Sequence, residues 1–120
     1  MKTIARCTLT LMLVGMMPWT TAQAQSMSKP DYKTQKARIG ADYKVDKTAC
    51  NAQAGNGKDI CVQEAKAKEK IARAELEFSY TGKPADHTKV LIAKVKGAYD
   101  IAKERCDDLA GKAEDVCVEE

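Results

Sequence analysis

Four cysteines carry the most specific chemical signal in the chain. Cys50 and Cys61, and then Cys106 and Cys117, form two Cys-x10-Cys pairs. Dithiol redox catalysis uses Cys-x-x-Cys, with one thiolate at a helix N-terminus and its resolving partner a turn away, and no such spacing occurs here. Structural zinc sites also favour short-spaced pairs, which leaves wide gaps and a single histidine, His87, a poor ligand set. A disulfide framework is the expected use, and four cysteines allow three connectivities. Each pair lies symmetrically about a glycine turn, Gly55-Asn56-Gly57 or Gly111-Lys112, so the pairing Cys50 to Cys61 and Cys106 to Cys117 is expected. An alternative link, Cys50 to Cys106, is open because an up-down-up path brings both turns to one end.

Other chemistry-bearing residues are more diffuse. His87 follows Pro84-Ala85-Asp86 at a helix start, where an exposed polar role is expected, and no Ser/His nucleophile system can be built on it. Gly55-Asn56-Gly57-Lys58 lacks the Gly-x4-Gly-Lys-Ser/Thr spacing that lets backbone amides encircle a phosphate. Asp107, Asp108, Glu114, Asp115, Glu119 and Glu120 crowd the C-terminal hairpin and offer a binding module for a small cation, although without the alternating spacing of a dedicated calcium loop. No catalytic residue, metal ligand or cofactor is assigned, and an enzyme is not expected.

The compartment is set by the N-terminus. Lys2 and Arg6 precede an uncharged run from Cys7 to Met17, followed by Pro18 and Ala22-Gln23-Ala24, the pattern of a secretory signal peptide over residues 1–24. The run is too short for a transmembrane helix of about 20 residues. The expected mature domain, residues 25–120, is a soluble periplasmic or secreted protein in a disulfide-permitting compartment. Removing the signal takes the net charge from +3 to +1, so no strong field draws the domain to nucleic acid, and no stable membrane insertion is expected. Residues 25–73 carry +5 and residues 74–120 carry −4, which favours packing of the two halves on each other.

The positioning elements are helical. Sliding the chain over itself by 56 residues superposes Tyr43, Lys47, Cys50, Ala54, Gly55, Asp59, Cys61, Val62 and Glu64 on Tyr99, Lys103, Cys106, Ala110, Gly111, Asp115, Cys117, Val118 and Glu120. A duplicated helix-turn-helix unit, about 43–64 and 99–120, is expected, the second copy lacking most of its second arm. Tyr32, Ile39, Tyr43 and Cys50 share one face of a first helix, opposite Lys33, Lys36, Lys44 and Lys47. Asn56 and Asp59 resemble a capping box opening a second helix to about Ser79, with Ile60, Ala67, Ile71, Ala74 and Phe78 on one stripe and Cys61, Ala65, Ala72 and Leu76 beside it. After Thr81-Gly82-Lys83-Pro84, a third helix carries Ile92, Val95, Tyr99, Ala102, Cys106 and Leu109 at spacings of three and four. A short helix with Val116 and Cys117 inward follows. The fold class is all-α: antiparallel helical hairpins, three long helices and a short fourth, stapled by two disulfides. Tyr32, Tyr43 and Tyr99 are expected in the core.

The segment Ala41-Asp42-Tyr43-Lys44, the two Cys-x10-Cys-Val hairpins and the Ala/Lys/Glu-rich arm from Glu64 to Glu77 resemble the small exported proteins of Gram-negative bacteria often labelled TolA-like cell-envelope proteins. That resemblance implies a role at the envelope and supplies no catalytic residues. The expected function is a non-catalytic, envelope-associated interaction or stress-related protein whose partner is another envelope protein or a second copy of itself. The second arm, through Ile71, Leu76 and Phe78, is expected to cover the stripe of the third helix. Where that cover is incomplete, Leu91, Ile92 and Val95 are the candidate interaction face.

Overall fold

A computed structural model describes residues 27–119, and every regular element in them is helical: α1 (Lys29–Ala49), α2 (Gly55–Thr81), α3 (Pro84–Cys106) and α4 (Lys112–Glu119), with one 3-10 turn at Cys50–Ala52. The signal-peptide reading of residues 1–24 and the carboxylate of Glu120 lie outside the described residues.

Local chemistry sets the helix ends. Ser28 caps α1 by accepting the Asp31 amide at 3.2 Å, with Pro30 in the first turn and Asp31 favourable near the positive end of the helix dipole. α2 stops at Gly82, whose φ of 64° only glycine adopts without strain and whose amide donates to the Phe78 carbonyl at 2.8 Å. Pro84 opens α3 immediately afterwards. The expected capping box is not formed. Asn56 lies inside α2, no side chain caps that helix, and the Asn56 amide instead donates to the Glu104 carbonyl of α3 at 2.8 Å.

α2 is the central element. Antiparallel to it on one side runs α1, joined by Cys50–Cys61, by Lys68–Asp46 at 2.7 Å and by the Tyr32 hydroxyl donating to Glu77 at 2.6 Å. On another side lies α3, fixed by Phe78 against His87 at 5.0 Å, Lys94–Glu75 at 2.8 Å and Gln63 donating to Glu104 at 2.8 Å. The two neighbouring stripes of α2 therefore serve different partners: Cys61, Ala65, Ala72 and Leu76 face α1, while Ala67 and Ile71 meet α3. At 100° per residue these faces are roughly 130° apart, and α1 and α3 do not touch.

The core is thin and built of small groups. Ala65, Ala67, Leu76, Val90 and Gly97 are buried, and the most enclosed side chains are Cys50 and Cys106, at 1% and 2% exposure. No residue of α1 itself is buried.

Charge does not join the halves as expected. Among the described residues, the ion pair between the two segments runs the other way, from Arg105 in the acidic half to Glu64 in the basic half at 3.1 Å. The remaining bridges stay within one half. Local complementarity between facing positions outweighs a difference in net charge that solvent screens.

Candidate functional site

Both disulfides form with the expected pairing, Cys50–Cys61 and Cys106–Cys117, each with its Cα atoms 5.6 Å apart. In each hairpin a helix ends, the chain turns, and a glycine at positive φ opens the next helix: Gly55 at 57° and Gly111 at 60°. Both turns sit at one end of the molecule, where Asn56 and Gln63 reach Glu104 and Arg105 reaches Glu64. Sulfur locked in this way is unavailable as nucleophile or metal ligand.

The other chemical candidates stay apart. His87 is exposed and lies against Phe78, as a polar residue at a helix start would. Among the described residues, no three His, Cys, Asp or Glu side chains come together as a metal site would require, Asp107, Asp108, Glu114 and Asp115 included. Glu120 is not among the described residues, nor is the side chain of Glu119.

One buried carboxylate is fully partnered. Asp86, in the first turn of α3, accepts from the Lys89 ammonium at 2.8 Å and from the Thr81 hydroxyl at the end of α2. These bonds hold its carboxyl below the usual carboxylate range and raise the Lys89 ammonium in return. The carboxylate thus latches the α2–α3 turn. Sequence patterning gave no sign of it, since hydropathy assigns an Asp at a helix start to solvent.

The distinctive surface is on α3, and it corrects two expectations. α2 does not cover the stripe of Ile92, Val95 and Tyr99. It packs on the opposite side of α3, where Asp86, Val90 and Gly97 are buried, because Gly97 lets the two backbones approach: a Cβ there would come within 2.9 Å of Ala67 Cβ. The stripe consequently faces outward, with Leu91 51%, Ile92 59%, Val95 72% and Tyr99 54% exposed. Tyr99 is therefore not a core residue. Tyr32 and Tyr43 are half-buried along α1, the former beside Tyr80 with ring centroids 4.6 Å apart.

α4 packs against α3 and seals only the Cys106 end of this stripe. Leu109 and Val116 remain exposed nearby, so Val116 does not turn inward as expected. A single solvated Leu or Val is ordinary, whereas Leu91, Ile92, Val95 and Tyr99 are exposed together along one helix face.

No protein-family model, curated protein or solved structure matches this chain. No helix among the described residues is long and apolar enough to cross a membrane.

Proposed function

We propose that this protein is a non-catalytic binding protein of the bacterial cell envelope that acts by presenting the outward face of α3 to another macromolecule. The observation that carries this reading is the exposure of Leu91, Ile92, Val95 and Tyr99 on one side of a helix whose other side is already packed. Burying such a face would contribute on the order of 25 cal/mol per Å2 of apolar surface, a driving force that exposed polar helices lack.

Three further features support it. The reactive sulfurs are consumed in staples. Disulfides of this kind persist in oxidising compartments, which agrees with export directed by residues 1–24. The resemblance to TolA-like envelope proteins points to the same location, with another envelope protein or a second copy as partner.

Replacing Leu91 with Lys tests the reading. It should abolish partner capture or self-association while leaving helical circular dichroism and both disulfides intact. Unchanged association would place the interaction elsewhere.

A further inference from the structure

α1 carries a row of basic residues that the packing of the molecule does not use. Lys33, Lys36 and Lys44 share one side of the helix with Gly40 between them, and α2 supplies Arg73 and Glu69 opposite, so that together they line an open groove of about 630 Å3 between the two helices. The three lysines are exposed, and among the described residues none of them enters an ion pair. Elsewhere Lys68, Lys89, Lys94, Lys96 and Arg105 each hold a carboxylate. The sequence withholds that relief from the row on α1, since no Asp or Glu stands three or four residues from any of the three lysines. Lys33 and Lys36, one turn apart, instead repel each other. Lys36 lies 5.8 Å from the centre of the Tyr32 ring, a contact that leaves its charge unneutralised.

Gly40 gives the row a notch. A Cβ there would lie 3.4 Å from Arg73 Nη2, so the guanidinium rests against bare helix backbone. Glu69 orients that guanidinium through one oxygen, which accepts from Nε at 2.8 Å and pairs with Nη2 at 2.7 Å. Lys36 and Lys44 stand about 6 Å along the axis on either side of the notch, and Arg73 flanks it from α2. Four cations against one carboxylate leave the groove at +3. A lone carboxylate ligand would leave most of that charge unbalanced. A phosphomonoester or diphosphate brings more negative charge, together with several acceptor oxygens for guanidinium and ammonium donors.

We propose that the groove over Gly40 binds the phosphomonoester or diphosphate group of a ligand, with Lys36, Lys44 and Arg73 donating to its oxygens and Lys33 adding charge. The site is built from α1 and α2 alone, so it stands or falls independently of the outward face of α3.

Titration calorimetry of the oxidised protein with inorganic pyrophosphate tests the assignment. Pyrophosphate should bind, and more weakly as salt is raised. Lys36→Gln with Lys44→Gln should weaken binding by about tenfold or more, whereas Lys70→Gln, in the separate groove between α2 and α3, should leave it almost unchanged. Gly40→Leu is the decisive variant, because it keeps every charge and favours the helix yet fills the notch. Binding should be lost in it, with circular dichroism confirming that each variant is folded. Cosedimentation with vesicles containing phosphatidic acid, with and without pyrophosphate as competitor, tells a lipid headgroup from a free phosphate; either source supports the site when Gly40→Leu removes the binding. No binding of either probe, binding unchanged in Gly40→Leu, or an equal loss in Lys70→Gln and in the Lys36 and Lys44 double variant overturns the proposal.

Discussion

Gly97 of α3 faces Ala67 of α2 so closely that a Cβ added to the glycine would lie 2.9 Å from the alanine Cβ. The missing side chain lets the buried side of α3 lie close against α2 here. Gly97→Ala would gain about 0.5–1 kcal/mol of helix propensity, but overpacking a close contact costs roughly 1–3 kcal/mol, so net destabilisation is expected. Ala67→Gly in the same chain should restore the space. Urea unfolding of the two single variants and the double variant should show a favourable coupling between them; independent, additive effects would mean that the helices are not held together at this point.

The two disulfides should differ in what they hold. No residue of α1 is buried, so its attachment to α2 depends on the Cys50–Cys61 staple together with Ile39, Tyr43, Asp46 and Tyr32 along one edge. A closed loop of this size contributes about 3 kcal/mol in the chain-entropy model. Changing Cys50 and Cys61 together to Ser should accelerate amide hydrogen exchange throughout α1 while α2 and α3 stay protected. Changing Cys106 and Cys117 should instead release α4 alone. Loss of protection across all helices in either variant would contradict this division.

Asp86 should shape the acid limb of stability. Its carboxyl is held below the usual carboxylate range by Lys89 and Thr81, so the folded state favours the ionised form more than the unfolded chain does. The resulting stabilisation is present above the unfolded value, about pH 3.9, and is lost as pH falls through the lower folded value. Asp86→Asn should lower the melting temperature at pH 6 and flatten its decline between pH 5 and pH 2, as followed by circular dichroism. Parallel acid limbs in the two proteins would remove Asp86 from this role.

Much of the architecture was legible in the sequence. Spacings of three and four defined the helices, and cysteines placed evenly about glycine turns gave the disulfide pairing, because both signals are local. The direction in which α3 faces was not legible. Its apolar positions formed the better stripe, yet its packed side combines buried Val90 with Gly97, which permits backbone approach, and with Asp86 and Glu104, which serve hydrogen bonds that hydropathy does not register. A glycine inside a helical pattern lowers propensity by about 1 kcal/mol relative to alanine, and a close helix contact is one reason to keep it. Asn56 misled for a related reason: its type and position suit a cap, but its amide serves the tertiary contact with Glu104.

The outward face of α3 is the proposed binding surface. Site-specific photocrosslinking in intact cells reads it directly, with a benzoylphenylalanine placed in turn at Ile92, at Val95 and, as a control, at Val45, an apolar residue of α1 that is also exposed. Positions 92 and 95 should each yield the same discrete adduct, absent when Leu91→Lys is introduced, while position 45 yields none. An adduct at position 45 with none at 92 and 95, or equal labelling at all three, would contradict the account.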